Sequence, residues 1–305
     1  MLQAIGWAFS NGRRARRARN MLPLALLCAA CAPALAAGQQ RIVSVGGSIT
    51  EIIYALGAQD RIVAVDTTSL YPAEALRTKP NVGYLRQLSA EGVLSQTPTL
   101  MIAAEGAGPA DTLGLLKSAG LRVMLLDEQP SARSVIDKID EIGRLLDLQQ
   151  PAQELSAKVR KEFEDLDARR KTIAKRLRVM VILGFQNGRA MAAGRKTAAD
   201  AMIALAGGIN AAGAMDNYKQ LSDEAIIDAA PDAVVMAQRG DDDVLPASIF
   251  DQGAFKATPA AATHNLIQMN ANYLLGFGPR TAQAAQDLML RLYPAMSPAK
   301  PATKP

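Results

Sequence analysis

The sequence predicts an α/β fold of two lobes, each with a central, mostly parallel sheet flanked by helices, joined by one long backbone helix. Three observations predict it: short apolar runs alternate with helical patterns, a segment of the first half returns in the second, and an amphipathic stretch lies between the halves. Aromatic residues make up only 4% of the chain. Ala, Leu, Ile and Val dominate, which is typical of strands covered on both faces.

In the first half, apolar runs with β propensity are separated by helical patterns. The predicted strands cover residues 41–45, 61–65, 99–103 and 122–126. The predicted helices cover residues 48–56, 90–95 and 111–119. Ser48 and Glu51 have the spacing of a capping box at the start of the first helix. This alternation of strands and helices predicts a parallel sheet.

The segment that begins Gln87-Leu88-Ser89 returns as Gln220-Leu221-Ser222, at an offset of 133 residues. In each copy a serine is predicted to cap a short helix, a proline follows that helix, and a strand comes next. Two lobes of like topology are therefore predicted.

The stretch at residues 151–176 is predicted to be the connecting helix, with Pro151 in its first turn. About 25 helical residues would span about 37 Å, enough to run from one lobe to the other. A helical connection would hold two lobes at a nearly fixed angle. An ordinary packed amphipathic helix is the alternative, and both interpretations predict burial of one face.

The first 40 residues have the pattern of a secretory signal. Five arginines precede an apolar run at residues 21–37, which contains Ala34-Leu35-Ala36 before the predicted cleavage near Ala36. A retained membrane anchor is the alternative. Both cysteines, Cys28 and Cys31, lie inside this run, so the exported chain is expected to have no disulfide, and the spacing does not favour a lipid anchor.

The expected organisation therefore has five parts. They are a signal peptide at residues 1–36, an N-terminal lobe at 37–150, the connecting helix at 151–176, a C-terminal lobe at 177–297 and a disordered tail at 298–305.

The charge of the whole chain does not describe the exported protein. The formal net charge is +5 and the sequence pI is near 9.2, which would favour an anionic partner. Without the five arginines of the signal, the chain keeps 29 basic and 29 acidic side chains. A nucleic-acid partner is therefore not expected.

Residues for common catalytic and metal sites are scarce. His264 is the single histidine, so a histidine-rich metal site or a Ser-His-Asp triad is hard to build. The segment at 188–197 misses the phosphate-loop spacing, and Gly276-Phe277-Gly278 is too short for a dinucleotide fingerprint. An exported, neutral, two-lobed chain of this kind is expected to bind a ligand between its lobes, at the carboxyl ends of the parallel strands, and not to be an enzyme.

Three segments carry a resemblance to a known family. They are Gly83-Tyr84-Leu85-Arg86 with the Leu-Ser-Ala-Glu that follows, Met191-Ala192-Ala193-Gly194, and Tyr273 through Arg280. Together with the order of strands and helices, they make the chain resemble the periplasmic haem-binding proteins of bacterial haem ABC transporters. More widely, the chain is similar to the helical-backbone substrate-binding proteins that also carry vitamin B12 and siderophores.

The resemblance implies that haem is the transported ligand, that there is no catalytic cofactor, and that Tyr84 ligates the ferric iron. Ferric iron is a hard cation that favours an anionic oxygen, and phenolate is a known haem ligand. A free tyrosine has a pKa of about 10, so a nearby cation assists its deprotonation. Arg86 and Arg239 match the family's candidates for that cation. Tyr273 and Phe277 are expected either to pack against the porphyrin or to close the core of the second lobe.

The resemblance also implies a partner. The protein is expected to be a periplasmic monomer that delivers haem to an inner-membrane ABC permease dimer with its ATPase. Glu91 and Glu224 hold equivalent places in the repeat and are expected to dock onto the two permease subunits. The alternative is that each acid only favours the N-terminus of its helix. The segment where some relatives use a histidine for a second haem, Phe185-Gln186-Asn187-Gly188, has none here.

Two other functions stay open at this point. One is a vitamin B12 or ferric-siderophore carrier of the same class, which would need no iron-ligating tyrosine. The other is a secreted two-lobed enzyme acting on a small metabolite, with His264 or a carboxylate as its general base.

Overall fold

The structure, a computed structural model, describes residues 40–186, 189–238, 249–251 and 253–296. The predicted signal peptide, the predicted tail and Arg239 lie outside the described residues.

The first lobe is built on a parallel sheet of four strands in the order β2-β1-β3-β4. The strands are β1 (Ile42–Val45), β2 (Ile62–Val65), β3 (Leu100–Ala104) and β4 (Arg122–Leu126). All three pairings are parallel. Since the carboxyl ends of parallel strands meet at one edge, the loops after these four strands are brought together there.

The second lobe is built on a mixed sheet in the order β10-β9-β5-β6-β8, with β7 paired to β5. The strands are β5 (Arg178–Gln186), β6 (Arg189–Ala193), β7 (Ile209–Asn210), β8 (Tyr218–Gln220), β9 (Ala233–Gln238) and β10 (Leu266–Asn270). Strands β5, β7, β9 and β10 pair in parallel, whereas β6 pairs antiparallel with β5 and β8. The antiparallel part is a feature of this lobe that the repeat did not predict.

Helices flank both sheets. They are α1 (Gly47–Ala55), α2 (Glu74–Thr78), α3 (Ala90–Leu94), α4 (Ala110–Ser118), α5 (Ala132–Leu145), α6 (Gln149–Arg170), α7 (Ala198–Leu205), α8 (Asp223–Ala229), α9 (Pro259–Ala262), α10 (Ala271–Leu275) and α11 (Thr281–Leu292). Short 3-10 turns occur at Gln59–Arg61, Ile249–Asp251, Gly253–Ala257 and Pro294–Met296. No helix within the described part of the chain is long and apolar enough to cross a membrane.

The connecting helix is α6, which has 22 residues and spans about 33 Å. It begins two residues before Pro151 and ends at Arg170, six residues earlier than the pattern predicts. Its buried stripe is Ala152, Ser156, Val159, Phe163 and Leu166, at the spacing of one helix face. The expectation of a long helix between two α/β lobes, buried on one face, is confirmed.

The hydrophobic core has three parts. One cluster lies on the outer face of the first sheet and includes Val43 and Val45, and another lies on the outer face of the second and includes Met180 and Ile182. The largest cluster joins the inner faces of both sheets through α6, from Ile42 in β1 to Leu292 in α11. Alternate strand residues therefore point to opposite helix layers, as expected for strands that are covered on both faces.

The repeat is preserved in three dimensions. Ser89 caps α3 by accepting from the Gly92 backbone N–H, and Ser222 caps α8 by accepting from the Ala225 backbone N–H. Each capped helix leads into a central strand, β3 in the first lobe and β9 in the second. Thr197 likewise caps α7, so residues 189–197 lead from a strand into a helix.

The predicted capping box at the start of α1 is wrong. The N-cap residue is Gly46, and no side chain caps the helix. The Ser48 hydroxyl instead donates to the Glu128 carboxylate at 2.9 Å, and Glu51 accepts from Arg280. Both side chains therefore point toward the ligand cleft described next.

Candidate functional site

A cleft lies between the two lobes at the carboxyl edge of the first sheet. Every strand of that sheet contributes the loop that follows it, and the second lobe contributes the segment that follows β10. The lining residues are Gly46, Gly47, Ser48, Glu51, Thr68, Tyr71, Leu85, Arg86, Ala104, Glu105, Glu128, Asn272, Leu275, Gly276 and Arg280. The predicted position of the ligand site, between the lobes at this edge, therefore coincides with a cavity.

Asp66 connects two of the loops that line the cleft. Its carboxylate is fully buried and accepts from the Gly46 backbone N–H at 2.8 Å and from the Thr68 backbone N–H at 3.0 Å. It also accepts from the hydroxyls of Thr68 and Ser69, at 2.7 and 2.9 Å. Four hydrogen bonds, with no cation, stabilise this charge and hold the loop after β1 against the loop after β2.

Tyr84 lies on a turn that is anchored on both sides. The Gly83 carbonyl accepts from the Thr67 backbone N–H at 3.0 Å, and the Tyr84 carbonyl accepts from the Gln87 backbone N–H at 2.7 Å. The Gly108 backbone N–H donates to the Leu85 carbonyl at 2.9 Å. The turn is therefore fixed to the loop after β2 and to the loop after β3.

The Tyr84 side chain is 42% exposed and is not among the residues that line the cleft. Leu85 and Arg86, its neighbours, line the cleft itself. Among the residues that the structure describes, the Tyr84 hydroxyl makes no hydrogen bond and Arg86 makes no ion pair. Both groups are available to a ligand.

Tyr273 and Phe277 lie apart from this turn. The Tyr273 hydroxyl donates to Asp287 at 2.8 Å, and burial, followed by this bond to a carboxylate, raises the pKa of Tyr273 well above its ordinary value. Tyr273 is thus a protonated donor and not a source of phenolate. Phe277 is 3% exposed within the largest core cluster, which fits the alternative that it closes the core of the second lobe.

Two cleft residues to which the sequence analysis gave no role are Arg280 and Tyr71. The Arg280 guanidinium donates to Glu51 at 2.9 Å and its carbon lies 3.3 Å from the centroid of the Tyr71 ring. Arg280 belongs to the Tyr273-to-Arg280 segment that carries the family resemblance, but nothing in the sequence indicates its partner, which lies 229 residues away. The Tyr71 side chain is 46% exposed.

A second group of charged side chains lies beside the cleft, in the first lobe. Lys138 of α5 is 3% exposed and donates to Glu128 at 2.8 Å and to the Ser48 hydroxyl at 3.2 Å. The lysine balances one of the acids that line the cleft. The helical pattern around Lys138 gave no sign of this contact, because a lysine on an amphipathic helix is most often solvated.

The two acids of the repeat lie away from the cleft. Glu91 in α3 and Glu224 in α8 are both exposed in the first turn of their helices. Hydrogen bonds from its own backbone N–H and from Ser222 lower the pKa of Glu224. His264 is exposed, its ring meets the edge of Phe250, and it is not among the residues that line the cleft.

No group of three or more His, Cys, Asp or Glu side chains in the described part of the chain could hold a bare metal ion. The cleft instead offers an exposed phenol, a guanidinium at its wall and apolar side chains beside polar ones. Two α/β lobes joined by a single long helix, with such a cleft between them, define a two-lobed ligand-binding protein. The chain belongs to the periplasmic binding protein family, whose model matches residues 42–273.

Solved structures and curated relatives agree with this placement. The chain is similar to the periplasmic heme-binding protein RhuT from Roseiflexus sp. RS-1 in apo form, at 39% identity and a TM-score of 0.80, over 85% of this chain and 99% of that one. It is similar to the periplasmic heme-binding protein BhuT in complex with two hemes, at 36% identity and a TM-score of 0.80, over 85% and 100%. A cobalamin-binding protein of Halobacterium salinarum is 30% identical, over 80% of this chain and 67% of the relative.

Proposed function

We propose that the protein is a periplasmic haem carrier that binds ferric haem in the cleft between its lobes and delivers it to an inner-membrane ABC importer for haem and iron uptake. The carrier performs no chemistry of its own, and haem is its cargo and not a cofactor. The observation that carries the proposal is the anchored turn, on which Arg86 lines the cleft and Tyr84, two residues before it, is exposed, neither having a side-chain partner in the described part of the chain. Similarity to two heme-binding proteins over nearly the whole described chain supports it.

In this proposal Tyr84 ligates the iron through its phenolate oxygen. Ferric iron is a hard cation that favours an anionic oxygen, and the guanidinium of Arg86, two residues away in sequence, would balance the negative charge of that oxygen. Arginine suits this role because its charge is retained when water leaves the cleft. Arg239, the other predicted cation, lies outside the described residues, and its role stays a prediction.

Tyr71 is the competing ligand, because its hydroxyl also makes no hydrogen bond within the described ranges and its ring lines the cleft. The Arg280 guanidinium already packs over the Tyr71 ring, 3.3 Å from its centroid. We therefore assign ligation to Tyr84 and a packing role to Tyr71.

An absorption titration with hemin tests both the ligand and the iron-ligating residue. The wild-type protein should give a Soret shift with the charge-transfer bands of phenolate-ligated high-spin iron. Tyr84→Phe should lose those bands, and its hemin affinity should fall about 10-fold or more, equivalent to at least about 1.4 kcal/mol.

Tyr71→Phe is the matched control, since it removes one hydroxyl from a neighbouring, similarly exposed ring. It should keep the charge-transfer bands. Loss of the bands in Tyr71→Phe but not in Tyr84→Phe would transfer the ligand role to Tyr71. A free-hemin spectrum for the wild type would reject haem as the ligand.

The second candidate is a corrinoid carrier, which the similarity to a cobalamin-binding protein favours. Such a carrier would bind cyanocobalamin with an affinity that Tyr84→Phe leaves unchanged. Competition between hemin and cyanocobalamin for the wild-type protein separates the two candidates.

Export and docking complete the proposal. Residues 1–36 would act as a cleaved signal peptide, which places a monomeric carrier in the periplasm. Glu91 and Glu224, exposed at equivalent positions of the two lobes, would each contact one subunit of a permease dimer. We also propose that one haem is ligated, because the single histidine, His264, is not among the residues that line the cleft.

A further inference from the structure

Glu51, Tyr71 and Arg280 form a wall between the ligand cleft and a second cavity. These three residues line both spaces. The second cavity adjoins the cleft through these residues, and its other lining residues come from α1, the loop after β2, α6, α11 and the segment before α11: Tyr54, Ala55, Pro72, Leu155, Lys158, Val159, Glu162, Pro279 and Gln283. The cleft encloses about 230 Å³ and the second cavity about 340 Å³.

The wall is held by contacts that cross from one lobe to the other. Glu51, on α1, accepts from the Arg280 backbone N–H at 3.1 Å and from its guanidinium at 2.9 Å, so both carboxylate oxygens are used. The guanidinium in turn stacks on Tyr71 at 3.3 Å. Gly278 permits this approach, because a Cβ there would lie 3.2 Å from the Glu51 carboxyl carbon.

The second cavity keeps unused polar groups. The Arg280 Nε and the Glu162 Oε2 atoms are buried without a hydrogen-bond partner in the described part of the chain, and both residues line this cavity. Leaving buried polar atoms without a hydrogen-bond partner is costly. If the contacts around the wall served stability alone, these two atoms would be expected to have partners. The arrangement instead keeps a space behind the cleft that the wall closes off.

From this geometry we propose that the wall selects ligands by thickness, which rests on the proposed haem-carrier function. With the wall in place, the cleft accepts a flat macrocycle with bare faces. A corrinoid carries axial groups and side-chain amides on both faces of its ring, and it needs the space behind the wall. The wall thus discriminates against the bulkier tetrapyrrole by obstruction and not by weaker attraction.

Parallel titrations with hemin and with cyanocobalamin test this role. The readout is the ratio of the two dissociation constants in each variant. Tyr71→Ala and Arg280→Ala each join the two spaces, and each should shift this ratio toward cyanocobalamin by about 10-fold or more. Gln283→Ala is the matched control, because Gln283 lines the second cavity but not the cleft, and it should leave the ratio within about threefold of wild type.

Arg280→Lys is a second variant in case Arg280→Ala does not fold. Lysine keeps a positive charge for Glu51 but has no planar guanidinium to stack on Tyr71. It should give a ratio between wild type and Arg280→Ala. An unchanged ratio in both Tyr71→Ala and Arg280→Lys would overturn the wall's role, and so would an equal shift in Gln283→Ala. Failure of the wild-type protein to bind hemin would reject the carrier function itself, which the wild-type spectrum reports independently of these ratios.

Discussion

At the scale of single residues, the order of the cleft depends on Asp66. Its four hydrogen bonds come from backbone and hydroxyl donors that flank two separate strands. A buried, charged acceptor that is fully satisfied makes strong bonds, whereas a donor left without its acceptor is costly. This one carboxylate therefore determines where Gly46 and Thr68 lie in the cleft.

We expect Asp66→Asn to destabilise the protein by about 2 kcal/mol, because the amide NH2 group would replace a carboxylate oxygen and face donors that need an acceptor. Urea unfolding followed by circular dichroism measures the change. Asp165→Asn is the control, as Asp165 makes only an exposed pair with Lys161 on α6, and it should unfold like the wild type. Equal stability of Asp66→Asn and wild type would show that the loops are held by other contacts.

Tyr273 makes the stability of the folded state depend on pH in the alkaline range. Its pKa is raised above the ordinary value of about 10, so the stability it contributes is complete below that pH and is lost as pH rises toward the folded-state pKa. We expect the urea midpoint of the wild type to fall between about pH 9.5 and 11, and that of Tyr273→Phe to fall less steeply. Tyr54 and Tyr218 also have raised pKa values, so the slope should decrease without vanishing. Identical slopes would contradict this assignment.

The hydrogen-bond partners of the cleft residues could not be predicted from the sequence. The spacing of Ser48 and Glu51 fits a capping box, but their partners are Glu128 and Arg280, which lie 80 and 229 residues away. Local spacing reports local hydrogen bonds, and these two side chains are used in tertiary contacts. Tyr84 and Arg86 were predicted because a motif and the start of a helix both mark their segment, and their roles stay predictions.

At the scale of elements, the crossing of α5 and α6 depends on a close approach. A Cβ on Gly143 of α5 would overlap the Cβ of Ala152 on α6. Ser156 of α6 also donates to Asp140 of α5, at 2.5 Å. The connecting helix is thereby fixed to the first lobe through a small residue and a hydroxyl, and neither is visible as a signal in the helical pattern.

We expect Gly143→Ala to destabilise the protein by about 2 kcal/mol, since the two helices must separate to admit a methyl group. Gly114→Ala is the matched control within α4, where a Cβ meets nothing within 4 Å. That substitution should stabilise the protein by about 0.5–1 kcal/mol, because alanine loses less backbone entropy in a helix. Thermal unfolding measures the change in stability of each variant. A stabilising Gly143→Ala would contradict the close crossing of the two helices.

The elements themselves were largely predictable. The four strands of the first sheet lie within one residue of their predicted bounds at each end, because buried parallel strands are apolar throughout and turns separate them. The antiparallel pairing of β6 and the strand β8 were missed, since a short exposed strand such as Tyr218–Gln220 looks like a loop. Helix α6 ends before its apolar pattern does, as Ile173 packs on the core from the turn that follows.

At the scale of the whole molecule, the repeat was the best predictor. It established two lobes of like topology and gave equivalent positions to α3 and α8, each with an exposed acid in its first turn. The repeat did not predict that four loops of the first lobe line the cleft. Which loops line it depends on which strands are parallel and on how the two lobes face each other.

We expect the double substitution Glu91→Lys with Glu224→Lys to abolish haem delivery to the cognate permease in proteoliposomes while leaving hemin affinity unchanged. Each single substitution should reduce the rate of uptake, because one of two contacts remains. Glu164→Lys, a charge reversal on the exposed side of α6, is the control. Wild-type uptake by the double variant would assign the two acids to their helix N-termini alone.

The largest core cluster runs without a break from Ile42 of the first sheet, through Phe163 of α6, to Leu292 of the second lobe. The described residues accordingly form a single compact unit, although the chain repeats its topology. Neither half can bury its inner sheet face without the other, so the two halves should unfold in one cooperative step and neither should be stable as a separate fragment. A ligand bound at the cleft would then stabilise both sheets equally, because the folding of each depends on the other.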